Sequence, residues 1–431
     1  MLYRQQLLFL VSFIVLSITF TSCLKDSCDE TQTFIMFEPI FAHPDEFRKD
    51  VEFLQDRELE NPGKIYYFND ILVINELYEG IHLFDNSDPK NPTKMGFLKI
   101  TGNVDVAIRG NLMYADSYVD LLTVDISDLQ NPITLCRDEE VFVVYDWNEG
   151  QGYFVGTKET QETIEVDCAD PQFGNPSFRD GDLIFVNESS LGNSTPQAVG
   201  TKSGTANSGI TGVGGSFARF SLIDEYLYVI NITDLMSYSL SDPKKPELTA
   251  TTNVSWEIET LFPYKDHLFI GGNNGMFIYN RNNPAEPRYV SEFRHAQACD
   301  PVFVKDDIAY VTLRNGTTCQ NFINQLDVID VSDISSPRLL ESFDMEHPHG
   351  LAVRQNNLYI CEGAHGLKVF ENDDLLKIDA NRIEHVKEMH AYDIIALSDD
   401  HLLVVGDDGL YQYDSSNPSD LKELSFIKTT D

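Results

Sequence analysis

The sequence predicts an all-β protein, a propeller of four-stranded antiparallel blades, and three observations lead there. An alternating apolar pentad that ends in Asp or a substitute recurs along the chain, and five of its seven spacings fall between 40 and 43 residues. Each pentad is flanked by further short runs rich in Val, Ile, Phe and Tyr, the residues that suit a pleated, half-buried surface. A 3.6-residue helical pattern is almost absent, which sets aside the helical repeats of similar length. A blade of four strands cannot bury both faces alone, so blades must stack radially.

Taken in chain order, residues 1–22 hold one charge, Arg4, ahead of an apolar run from Leu7 to Phe20. That run has the length of a signal-peptide core and is short for a membrane span. It ends in Phe20-Thr21-Ser22-Cys23, which resembles a bacterial lipoprotein signal. The resemblance implies that Cys23 is lipidated and tethers the protein to a membrane. The acidic stretch after it, Leu24 to Glu30, looks like the export signal of Bacteroidetes-type lipoproteins. The expected address is therefore the outer membrane, facing the cell exterior or else the periplasm. Residues 23–59 form a tether and lead-in, and the propeller is expected over 60–428.

Within 60–428 the pentads are Ile81–Asp85, Leu121–Asp125, Thr163–Asp167, Leu235–Ser239, Met276–Asn280, Leu326–Asp330, Leu367–Glu371 and Leu410–Asp414. Before each lies a strand such as Asn111–Ala115 or His267–Gly271, and before that a short apolar stretch such as Pro301–Val304. After it comes a turn such as Asn86-Ser87-Asp88-Pro89-Lys90-Asn91-Pro92, where Pro fixes φ and Asp caps the backbone. A fourth strand such as Lys94–Leu98 completes the unit. Eight pentads favour eight blades, or seven if the Asp167 unit is an incomplete hairpin. An insertion around 172–215 separates that unit from the next, and its Gly/Ser/Thr-rich run from Gly200 to Gly215 reads as an exposed, dispensable loop.

The pattern Gly-Leu-x-Val-Ile-Asp followed by Ser-Asp-Pro-x-x-Pro resembles the LVIVD-repeat propeller family. Glu60–Tyr66, Gly102–Asp105 and Tyr114–Asp120 look like its Bacteroidetes lipoprotein branch. The resemblance implies the propeller fold and says little about activity, because propellers host unrelated chemistries. The chain departs from the pattern at Ser239, Asn280 and Glu371, where Asp is expected, and those turns should be looser.

Composition bounds the function. With 31 Lys+Arg against 69 Asp+Glu the formal charge is −38, which repels phosphate backbones and excludes nucleic acid as a partner. The residues just before each first strand should converge on the channel mouth, and they are Lys64, Asp105, Arg219, Glu259, Asp300, His349 and Asp393. Such a ring suits a small polar or cationic ligand, a carbohydrate, or Ca²⁺ held by Asp105, Asp300 and Asp393; no other cofactor is expected. His347, His349, Cys361, Glu362 and His365 are the densest set of transition-metal ligand types, without the spacing of a zinc motif. Neither a nucleophile elbow nor a phosphate loop occurs. Of the six cysteines other than Cys23, Cys136/Cys168 and Cys299/Cys319 are the favoured pairs, and Cys361 reads as a buried strand residue. The leading expectation is a non-enzymatic binding or scaffold propeller with a protein or glycan partner. The alternative is a carbohydrate-active enzyme that uses mouth carboxylates, with exposed Trp147, Trp256, Tyr118 and Tyr264 as stacking surfaces.

Overall fold

The computed structural model describes residues 29–142, 147–167, 212–215, 218–294, 301–314 and 323–430. Seven consecutive antiparallel meanders run from residue 62 to residue 428. Blade 1 is Pro62–Phe68, Ile71–Glu76, Gly80–Asp85 and Thr93–Lys99. Blade 2 is Val106–Arg109, Leu112–Ser117, Asp120–Asp125 and Ile133–Asp138. Blades 3 to 7 span residues 220–253, 258–294, 302–344, 351–386 and 393–428, each in the same order of four strands. Seven of the eight pentads are third strands, paired on both sides, as their alternation requires.

Eight sheets are present among the described residues, but the eighth is not a blade of the expected kind. The Asp167 pentad lies in one long strand, Gly152–Asp167, which forms a three-stranded sheet with Asp29–Ala42 and Trp147–Asn148. It lacks a meander of its own. The first strand of blade 2 lies directly against the first strand of blade 3, Phe220–Ile223, so no blade stands between them. The ring has seven blades, and the Asp167 unit is the incomplete one. Among the described residues, 29–40 with 157–167 belong to a unit distinct from the unit of the seven blades.

First strands line the axis, each against its neighbours, and the last blade meets the first. Second and third strands are buried on both faces and supply the wedges of core between blades, such as Met113, Tyr114 and Val124 or Leu358, Ile360 and Val369. Fourth strands are the outer edge in blades 2 to 7, and in blade 1 the fourth strand is covered in part by Glu52–Leu54. In all seven blades the ladder between third and fourth strands slips by one residue near its start. The skipped residues are Met95, Leu135, Thr249, Val290, Leu340, Ile383 and Leu424. Such a bulge twists the edge and spoils it as a template for another strand.

The Ser-Asp-Pro turns do two jobs. Within the turn, Asp85, Asp125, Asp330 and Asp414 each accept the amide two residues on at 2.9 Å. Ser239 does the same at a longer 3.3 Å, which is the looseness expected there. Between blades, the turn is gripped by a hydroxyl from the preceding blade. Tyr114 donates to the Pro243 carbonyl at 2.9 Å, Tyr228 to Pro284 at 3.0 Å, and Ser291 to Ile334 at 2.6 Å. The seam between blades 7 and 1 uses the same device, Ser425 to Pro89 at 2.6 Å. It adds a reciprocal amide pair between Asn86 and Gln412 at 3.0 and 2.7 Å.

Two extra segments lengthen the sheet of blade 1. Glu52–Leu54 pairs with its outer strand, and Val213–Gly214 pairs with its innermost strand, Val213 opposite Tyr67 and Gly214 opposite Tyr66. The end of the Gly-rich run is therefore not an exposed loop: residues 212–214 are half-buried on the inner edge of blade 1 and Gly215 is buried. Unpaired donors and acceptors on that inner strand recruit it. The remainder of the run, residues 200–211, lies outside the described residues.

Candidate channel-mouth site

The mouth is built where a chain entering a blade meets the end of a second strand. Lys64, inside the first strand of blade 1, is buried, and its Nζ lies 2.8 Å from Asp105 Oδ2. Asp105 precedes blade 2. Its Oδ1 accepts the Val106 amide at 2.8 Å, and its Oδ2 accepts the Arg219 amide at 2.7 Å. One carboxylate thus ties together the starts of blades 1, 2 and 3. The Arg219 guanidinium pairs with Asp116, whose other oxygen accepts the amides of Val104 at 2.7 Å and Asp105 at 2.9 Å. Burial lowers the Lys64 pKa and raises that of Asp116; in each case the opposing partner limits the shift.

Across the ring, Glu259 is half-buried at the start of blade 4. Burial and Glu257 push its pKa up, while Arg314 and Lys64 pull it down. Arg314, after the second strand of blade 5, donates from Nη1 to His349 Nδ1 at 2.9 Å. A guanidinium can only donate, so His349 carries its proton on Nε2, which lies 3.1 Å from His347 Nδ1. Burial and Arg314 hold the His349 pKa well below the usual imidazole value. The two rings rest on Gly363, where an added Cβ would stand 3.0 Å from both imidazole nitrogens. Asp393 is buried at the start of blade 7, close enough to Cys361 that its charge adds to burial in raising the thiol pKa.

The structure thus joins Lys64, Asp105 and Arg219 directly, places Glu259 within the field of Lys64, and links His349 to Arg314. Asp393 sits by Cys361. Asp300 and Cys23 lie outside the described residues, as do Cys168, Cys299 and Cys319. Cys136 is a free thiol, so the Cys136/Cys168 pair is not formed; Cys361 is free and buried, as its strand predicts. Where a Ca²⁺ ion would neutralise Asp105, the Lys64 ammonium already does so. The denser ligand set is occupied with structure: Glu362 accepts the amides of Glu346 at 3.0 Å and His347 at 2.6 Å and pairs with Lys368 at 2.9 Å. Among the described residues no three His, Cys, Asp or Glu side chains converge as metal ligands. Trp256 and Trp147 are exposed, at 65% and 51%, whereas Tyr118 is half-buried against Phe47 and Tyr264 meets Asp307.

Sequence reasoning missed Glu76, Asp116 and Arg314, and read Glu362 only as a candidate metal ligand. All four follow the apolar core of a second strand directly or after one residue, as in Leu358-Tyr359-Ile360-Cys361-Glu362, and that position was the available signal. Glu76 repeats the Glu362 arrangement, taking the amides of Glu60 at 3.1 Å and Asn61 at 2.6 Å and His82 Nε2 at 3.0 Å.

The LVIVD-repeat signature matches residues 102–137 and 297–345, which cover all of blade 2 but its last residue and the whole of blade 5. No curated protein matches the chain. Among solved structures it is similar to the periplasmic gluconolactonase of Pseudomonas aeruginosa, at 10% identity over 85% of this chain and 96% of that one, TM-score 0.49. BamB of Moraxella catarrhalis is similar at 7% identity over 88% and 97%, TM-score 0.48. The computationally designed protein Ika8 is similar at 9% identity over 87% and 92%, TM-score 0.48. From its seven meanders and the repeats matched in its second and fifth blades, the chain is a β-propeller that carries LVIVD repeats.

Proposed function

We propose that this protein is a binding or scaffold propeller, held at the outer membrane by a lipid on Cys23, whose mouth takes a glycan or protein partner. The observation that carries the reading is Trp256. It is the most exposed large apolar side chain among the described residues and stands just before the strand that brings Glu259 to the mouth. An indole with its face in water is a stacking surface with a polar neighbourhood. The ionised groups behind it are engaged with one another, Lys64 with Asp105 and Arg219 with Asp116, so their chemistry here is to hold the mouth in shape. A glycan array probed with the chain lacking residues 1–23 tests this. Trp256→Ala should weaken the strongest binding at least tenfold; undiminished binding moves the site elsewhere.

One observation favours a second reading, a carbohydrate-active enzyme. Burial and Glu257 hold the Glu259 carboxyl toward its protonated form, the state a general acid needs. On this reading Glu259→Gln abolishes hydrolysis of a captured glycan and leaves its binding intact. A bound glycan that the parent protein leaves uncleaved returns the answer to the first reading.

A further inference from the structure

The inner edge of blade 1 is a strand-accepting site filled by the chain itself. Gly212–Gly215 runs antiparallel to Pro62–Phe68, and only two residue pairs, Val213–Tyr67 and Gly214–Tyr66, make the ladder. The Gly215 amide donates to the Ile65 carbonyl at 3.1 Å, and the Gly212 amide to the Ile108 carbonyl of blade 2, also at 3.1 Å. Val213 packs against the apolar cluster that includes Ile65 and Ile395, from the inner strands of blades 1 and 7. The site selects for glycine: a Cβ on Gly212 would lie 2.2 Å from the Tyr66 ring and 2.7 Å from the Tyr67 carbonyl. Beyond the strap, Ala218 accepts from the Leu261 amide of blade 4 at 2.9 Å, and Arg219 is fixed at the mouth by Asp105 and Asp116. The strap therefore has a firm anchor on one side and a short glycine-rich ladder on the other.

We infer that this inner edge is a peptide-binding groove, and that residues 212–215 are its resident, exchangeable occupant, excluding an extended glycine-containing strand from another source. Strand addition derives affinity from main-chain hydrogen bonds and specificity from the side-chain pockets. Here those are the Ile65 and Ile108 carbonyls, the shelf of Tyr66 that admits only glycine, and the apolar seat of Val213. A two-residue ladder in a segment with three glycines belongs to the low-stability end of a fold, because glycine loses most freedom on ordering. Opening leaves all seven meanders and the Arg219 anchor intact. The inference does not depend on what the mouth binds.

The test uses the full chain and a labelled peptide of residues 210–217. Amide exchange in the unaltered protein should be at least tenfold faster at Gly212 and Gly215 than at Val73 and Ile74 in the second strand of blade 1. Gly212→Val, whose side chain cannot face Tyr66, should keep its β-sheet circular dichroism and bind the peptide, and a peptide carrying the same substitution should not bind. Val213→Ser, which loses the apolar seat without a clash, should bind the peptide more weakly than Gly212→Val and more tightly than the parent. Strap amides as slow as the blade core overturn the inference. So does a folded Gly212→Val chain that ignores the peptide, or failure of both variants to fold, which would make the strap a fixed structural part.

Discussion

At Asp116 one carboxylate receives four donors: the amides of Val104 and Asp105, the Asn103 side chain and the Arg219 guanidinium. The amides fix how the chain enters blade 2, and the guanidinium fixes how it enters blade 3. Asp116→Asn keeps the shape, removes the charge and leaves Arg219 beside a neutral amide at a largely buried place. Breaking a buried pair from one side costs about 3–5 kcal/mol, and a urea titration should show a loss of that order. A smaller loss, nearer the roughly 1 kcal/mol net of a neutral hydrogen bond, would mean that Arg219 finds another anion. The same scale explains the pairing of His349 with Arg314, since an imidazole kept neutral by burial can serve as acceptor to a cation that never deprotonates.

At the scale of the element, the turn after each third strand is where charge and backbone meet. Its carboxylates accept amides and hydroxyls, and their pKa values are lowered, with that of Asp330 at about 2 through the Ser332 hydroxyl and amide and Arg338. Asp85, Asp125 and Asp414 shift in the same direction for the same reason, the serine two residues on. A lowered carboxylate stabilises the fold above its unfolded pKa, and that contribution disappears as pH falls through the folded value. The denaturation midpoint should therefore fall between pH 4 and pH 2, in the window set by the 3.8 of a free Asp and the value of Asp330. In Asp330→Asn that fall should be shallower. Much of this was legible: seven of the eight pentads became third strands because each alternating run lies between two further strand-like runs in its repeat. The turns announced themselves by Asp and Pro. The bulge in every fourth strand was not legible, because an extra residue in an exposed edge leaves the apolar spacing unchanged. At the mouth, Lys64, Asp105 and Arg219 came together as the count back from each second strand suggests. Arg314 and Asp116 escaped because the partner that makes each matter is 35 to 103 residues away. The Asp167 pentad misled for a similar reason, as five alternating residues read alike in a blade and in a long two-sided hairpin.

For the molecule as a whole, attachment and closure are separate questions. The proposed attachment is through Cys23: acyl chains supply about 0.8 kcal/mol per buried methylene, so on that proposal Cys23→Ser should shift the protein from the membrane fraction to the soluble or unprocessed one. Retention on membranes after a carbonate wash would contradict the anchor. Closure rests on the seam between blades 7 and 1, where Asn86 faces Gln412 and Ser425 reaches Pro89. Every four-stranded meander is contiguous in sequence, so no meander strand is shared across that seam and six of the seven joints carry a covalent link that the seventh lacks. The ring is mechanically a split washer. That one gap is held by the apolar wedge of Ile65, Leu72 and Ile74 against Ile395, Leu403 and Val405 as well as by the side-chain bonds, and opening it would admit the strap sideways. No free chain end then has to be drawn through a finished hole.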